Sequence, residues 1–371
     1  MPAFNDLTAK WRKRYGVFGH SWFTSIGLEQ HEIDLSKVDA RHASKNVRSL
    51  RSVDHKHLRT PMARAFTLAD LLVIIAVIVL LVGLLVPTLT RAKQSSQTIK
   101  DAAQITQIHR AFVIYANERS DGKLPTPGLI NRQGQIQGMG LESYSLNNTA
   151  NLYSACIARE LFNPDILVGP TEYSGSNVVE KGKGASIGVA DVPYDYAQYD
   201  PSTDKYWDTT FLANLHQPAG ICNASFAHQP LFGTRKDIGW RANGDSARPL
   251  FGTRGPKHGN TGPGSAIITP ADYKGSPTLL LHGSKKEWDG NICYGDNHSE
   301  FTQTFFPTQT GYDCSGGSGT LDKDNIFCMD FTCIGTGTAS AAKQGDAIIA
   351  FTIGSPTATN GAVVYDTLIT P

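Results

Sequence analysis

Residues 65–90 read AFTLADLLVIIAVIVLLVGLLVPTLT, and no other stretch limits so tightly what this chain can fold into. The run from Leu71 to Val86 carries no charge. With its flanks it approaches the roughly 20 apolar residues that a helix needs to cross a bilayer. A short polar prelude, Arg64-Ala65-Phe66-Thr67-Leu68-Ala69-Asp70, precedes it, and Asp70 stands at the edge of the apolar segment. A carboxylate costs about 2.5–3.5 kcal/mol on insertion scales if it sits deep in lipid. Its presence there calls for a partner or a shallow position.

The prelude resembles the N-terminus of type IV pilins and type II secretion pseudopilins. In that family a short basic leader is followed by G-F-T-L-x-E and an apolar helix. Arg64 matches the basic leader, Phe66-Thr67-Leu68 matches F-T-L, Ala65 stands for the glycine and Asp70 for the glutamate. The resemblance covers residues 64 to about 120. It implies that a prepilin peptidase cuts between Ala65 and Phe66 and methylates the new amine of Phe66. It also implies that Asp70 neutralises an N-terminal ammonium, usually a neighbouring subunit's, as filaments of pilin-like subunits grow. An opposite charge offsets the cost of an ion where water is scarce. The alternative for the same residues is a plain signal anchor with Asp70 at the interface.

Charge distribution orients the span. Residues 1–65 carry 12 Lys and Arg against 6 Asp and Glu, a net of +6, which leaves 22 against 27 after them. A positive flank before the span and an acidic body after it predict a single-pass protein of the inner (cytoplasmic) membrane, with the N-terminus inside and the head outside. The overall net charge of +1 argues against bulk nucleic-acid binding. Residues 1–65 read as a cytoplasmic leader. Translation starting at Met62 is favoured over a long leader, because Met62-Ala63-Arg64-Ala65 is itself a short basic one.

The helix outlasts the apolar run. Ile99, Ala102/Ala103, Ile105, Ile108, Phe112 and Tyr115 recur at three- and four-residue steps, one apolar stripe on a polar helix. A helix over 68–118 would reach roughly 75 Å, with Gly83 and Pro87 as a bend. The expected division is a transmembrane part over 66–88, an amphipathic part over 89–120 and a head over 121–371. Ser120-Asp121-Gly122-Lys123-Leu124-Pro125 ends the helix. Beyond it, Gly, Pro, Asn and Asp clusters bound short β-type runs at 185–189, 266–269, 278–282, 290–294, 299–306, 346–353 and 362–367. Short helices are expected at 153–162 and 208–215. The fold class is therefore α+β: a long N-terminal helix packed on a mainly antiparallel, β-rich head.

Several constellations hold residue types that can carry chemistry. Leu281-His282-Gly283 … Trp288-Asp289-Gly290-Asn291 … Asp296-Asn297-His298 is the densest polar box, and it resembles a pattern near the C-terminus of large-headed pseudopilin-like proteins. Two strands joined by a Gly-Asp-Asn-His turn explain it, since Asp and Asn side chains bond their own turn backbone. The alternative is a metal site from His282, Asp289, Asp296 and His298, which lack diagnostic zinc spacing. Asp322, Asp324, Asn325 and Asp330 offer oxygens to calcium, but the EF-hand order is absent and a solvated acidic loop is preferred. No cofactor is expected otherwise. Six cysteines, Cys156, Cys222, Cys293, Cys314, Cys328 and Cys333, suggest disulfides on an oxidising face. Pro-Leu-Phe-Gly-Thr-Arg occurs twice, at 230–235 and 249–254, with Phe expected in the core and Arg paired locally. No Gly-x-Ser-x-Gly and no phosphate-loop spacing is present, so an enzyme is not expected. The reading is a structural filament subunit, alternatively a membrane-anchored extracytoplasmic binding protein. Its partners would be prepilin peptidase, other pilin-like subunits and the lipid bilayer.

Overall fold

In the computed structural model the described residues are 67–134, 139–173, 177–186, 189–215, 220–233, 235–256, 276–282, 288–312, 322–328, 347–354 and 356–366. Helix α1, Leu68–Asn117, runs 50 residues without a break through Gly83 and Pro87. Pro87 removes one backbone donor. Beside it Thr88 Oγ1 donates to Leu85 O (2.7 Å) and Thr90 Oγ1 to Val86 O (3.0 Å). Asp70 in the first turn complements the positive end of the helix dipole. The end falls at Asn117, and Gly122 turns the chain at φ +60°.

The buried stripe of α1 is Asp101, Ile105, Ile108, His109, Phe112 and Tyr115. Ile105, Ile108, Phe112 and Tyr115 sit where the periodicity puts them. Ile99 does not: it is exposed, and the stripe begins instead on the carboxylate of Asp101.

After α1 come α2, Pro127–Ile130, and α3, Thr149–Ala158. The expected helix at 153–162 is thus shifted towards the N-terminus. Asn148 caps it, its side chain accepting from Asn151 N (2.9 Å). No helix forms at 208–215. There the Asp208 carboxylate takes the N–H of Thr210 at 2.7 Å and competes with helical bonding, and Ala213 bridges to Cys222.

The expected run at 185–189 is a small hairpin, β1 (Ala185–Ser186) against β2 (Val189–Ala190). The central sheet is β3 (Phe226–His228), β4 (Pro249–Thr253), β5 (Gly290–Tyr294) and β6 (Ser299–Thr302), in that spatial order and antiparallel throughout. β5 has the expected bounds and β6 stops four residues early. The run at 278–282 is no strand: Pro277 opens a 3₁₀ turn, Pro277–Leu280, capped by Ser276. Two further ladders are short: β7 (Gly311–Tyr312) with β8 (Asp322–Lys323), and β9 (Phe351–Ile353) with β10 (Ala362–Val364). The expected strand at 266–269 lies outside the described residues.

The two copies of Pro-Leu-Phe-Gly-Thr-Arg diverge. The second becomes β4 and the first does not, since Gly233 there has φ +66°. Both phenylalanines, Phe232 and Phe251, are in the core. Arg254 is buried and pairs with distant carboxylates, Glu172 and Asp366, rather than locally. The ring of Phe112 on α1 meets Phe251 at 5.1 Å and Trp240 at 6.0 Å, both edge-on. Tyr153 of α3 donates to Phe226 O at 2.8 Å. Helix, sheet and α3 thereby share one core, in an α+β arrangement.

Cys156, Cys222 and Cys293 are buried free thiols in that core, so the expected stapling does not include them. Burial pushes the thiols of Cys222 and Cys293 up to about 12 and raises that of Cys156. They behave as small apolar side chains. Cys314 and Cys333 lie outside the described residues.

Candidate functional site

α1 divides into two halves with opposite surroundings. From Leu71 to Leu89 every large apolar side chain is 44–66 % exposed. In water such an unbroken apolar face would be strongly unfavourable, at about 25 cal/mol per Å². α1 is long and apolar enough to cross a membrane, consistent with single-pass anchoring. Asp70 lies in its exposed first turn. Ala65 and Phe66 lie outside the described residues.

The second half is seated in the head by the polar box around β5. Asn291 Nδ2 donates to Thr98 O (3.0 Å) and to Asp101 Oδ2 (3.1 Å). Thr253 Oγ1 donates to the same carboxylate oxygen (3.1 Å) and accepts from Asn291 N (3.0 Å). His282 Nε2 lies 3.7 Å from Asp101 Oδ2, and its Nδ1 lies 3.3 Å from Thr98 Oγ1. Two turns further, His109 Nδ1 lies 2.9 Å from Asn297 Oδ1 in the β5–β6 turn, where Asn297 adopts φ +70°. The box thus clasps the helix at two levels. The hairpin expectation accounts for its strands and turn. It missed that Asn291, Asn297 and His282 face α1, because sequence spacing gives no hint of contacts nearly 200 residues apart.

The electrostatics of this joint are governed by burial. Burial raises the Asp101 carboxyl to about 6, against the pull of the Asn291 and Thr253 bonds. Burial also lowers His282 to about 4, and it lowers His109. At neutral pH His282 is therefore uncharged, and its contact with Asp101 is polar rather than an ion pair. Among the described residues, Asp101 Oδ1 has no hydrogen-bond partner. It faces Gly169, where an added Cβ would stand 2.5 Å from it. Gln97 and Gln104 hold this segment along α1 by donating to Pro170 O (2.8 Å) and Val168 O (3.3 Å).

The metal candidates are dispersed. Asp296 and His298 bond each other at 2.5 Å in the turn. Asp289 is buried, with its carboxyl raised to about 6 by burial. Asp324 Oδ2 accepts from Ala347 N at 2.6 Å, and Asp322 lies in β8. Asp330 lies outside the described residues. Among the described residues, no three His, Cys, Asp or Glu side chains converge as a metal-binding group. A cleft of about 610 Å³ opens beside α1, lined by Lys100, Gln104, Gln107, Asn163, Asp165 and Glu180 among others.

No family model, no curated protein and no solved structure matches the chain.

Proposed function

We propose that this chain is a structural, non-enzymatic subunit of a pilin-like filament, of the type II secretion pseudopilus or type IV pilus class. Prepilin peptidase would cut it between Ala65 and Phe66 and methylate the Phe66 amine. One observation carries the reading. A single continuous helix has an exposed apolar first half, Asp70 in its first turn, and a second half seated in a globular head. Such a helix serves two environments in turn, lipid first and the apolar helices of neighbouring subunits afterwards. Asp70 would face the Phe66 ammonium of a neighbour. The head would lie outside the cytoplasm, as the charge balance around the span suggests.

Asp70→Ala is the test. Breaking a buried ion pair from one side costs about 3–5 kcal/mol, enough to stop subunit addition while leaving single molecules in the membrane. The variant should keep membrane localisation and a mature N-terminus at Phe66 by mass spectrometry, yet be absent from isolated filaments. Asp70→Glu should still be incorporated. Normal incorporation of the alanine variant would leave only a plain membrane anchor.

A further inference from the structure

Seven residues, Thr90–Ser96, separate the apolar half of α1 from its first bond to the head, Gln97 to Pro170 O. At about 1.5 Å per residue they rise about 10 Å. Each headgroup layer is about 5–7 Å thick, half the difference between a bilayer's core and its full thickness. A span ending at Leu89 therefore places Gln97 and Thr98 about 5–9 Å beyond the outer edge of that layer. The membrane-proximal rim of the head lies at this level.

That rim is apolar and exposed. Ile99 follows Thr98 and is 67 % exposed. Phe301, 43 % exposed, sets its ring 5.5 Å from that of His282, which contacts Thr98. Phe301 also pairs across the sheet with Asn291, whose amide reaches Thr98 O. Leu280, 44 % exposed, lies two residues before His282. Just below stand the exposed cations Arg91 and Lys93, with Lys100 just above. α1 has no acidic residue from Leu71 to Lys100.

We propose that Ile99, Leu280 and Phe301, with Arg91 and Lys93, form an interfacial lipid-contact surface that holds the head down on an anionic bilayer. The inference rests on the reading of α1 as a membrane span. Two features select lipid as the occupant. The rim lies on the headgroup side of the span, across the polar and basic turns Thr90–Ser96, and the cations of those turns match anionic headgroups. A second copy of this chain carries the same cations and would bring like charges together.

Photocrosslinking from the full-length chain in vesicles tests it. Benzoylphenylalanine replaces Phe301, Leu80 within the span, or Leu141, an exposed site beyond the far end of α1. The vesicles are phosphatidylcholine with or without phosphatidylglycerol. Position 301 is expected to give lipid adducts well above those at 141, with higher yield when phosphatidylglycerol is present. Arg91→Gln with Lys93→Gln should lower that yield at least about fivefold, one charge's worth of attraction to an anionic surface. Adducts at 80 with none at 301 above the level at 141 would overturn the rim surface and leave the span intact. Protein–protein adducts at 301 in place of lipid would assign the surface to a second copy and overturn it as well. Absence of lipid adducts at 80 would overturn the span, and the rim surface with it.

Discussion

Asp101→Asn probes the joint between helix and head directly. Asp101 is 1 % exposed, and burial raises its carboxyl from 3.8 to about 6. At about 1.4 kcal/mol per pH unit, that gap is worth about 3 kcal/mol. The folded state holds the proton more tightly than the unfolded chain. Asp101's contribution is therefore fully present below 3.8 and is lost as pH rises through about 6. At neutral pH the native protein bears the whole cost of ionising this group. Asparagine keeps one oxygen for Thr253 and Asn291 but puts an amide nitrogen where Oδ1 now faces Gly169. That leaves a buried donor unpaired at about 1–3 kcal/mol, independent of pH. The sign of the effect at one pH is thus a balance, whereas the difference between two pH values isolates the charge. Relative to the native chain, the variant should gain roughly 2–3 kcal/mol between about pH 4 and about pH 7.5. Glu172 and Arg254 act on the Asp101 carboxyl with opposite signs, and both effects are part of what the variant removes. Urea unfolding of the detergent-solubilised full chain, followed by the fluorescence of buried Trp240 and Trp288, reads it. Parallel pH profiles for the two proteins would refute the reasoning.

Gly169→Ala should destabilise by about 1–3 kcal/mol through overpacking, because its Cβ would stand 2.5 Å from Asp101 Oδ1 and 3.5 Å from the Phe226 ring; the same urea titration checks it. His228 should contribute to acid unfolding. Burial lowers it from 6.5 to about 4, so the folded state prefers the neutral ring and stability is lost as pH falls from 6.5 towards 4, by up to about 3 kcal/mol. His228→Gln should flatten this limb of the pH–stability curve between about pH 6.5 and about pH 4, and an unchanged limb would place the acid sensitivity elsewhere.

The long helix was legible because hydrophobic run and stripe are local signals, and its observed end, Asn117, falls within one residue of the expected 118. β5 was legible for the same reason: Gly290–Tyr294 is a short apolar run between turn residues. β3 and β4 were not. Phe226–His228 is too short to show alternation, and β4 begins on Pro249, a residue that argues against a sheet interior. Pro249 occupies the first position of its strand, where the missing donor is tolerated. The joint was hidden for a different reason. Asp101, on the buried face of a helix, reads as a break in an apolar stripe. Only the fold brings Thr253, His282 and Asn291 to it. Burial of a charge is a tertiary property, so no spacing rule announces it.

The seam between α1 and the head is not uniform along its length. At the end far from the apolar span it is aromatic: Phe112 meets Phe251 and Trp240, and Tyr115 is buried beneath the cations of Arg119 and Arg159. At the end near the span it is polar, with Thr98, Asp101, Thr253, His282 and Asn291. Fully buried aromatic side chains cost about 3–5 kcal/mol each to remove. The polar end instead contains a carboxylate whose ionisation at neutral pH opposes burial. Exposing that end to water releases the desolvation cost of Asp101, and separating the aromatic end releases nothing comparable. The asymmetry predicts that, when helix and head are pulled apart, opening begins at Thr98 and Asp101 rather than at Phe112. In the proposed filament subunit, a helix that leaves lipid to pack against other helices would use freedom in the turns at Thr98 and Asp101.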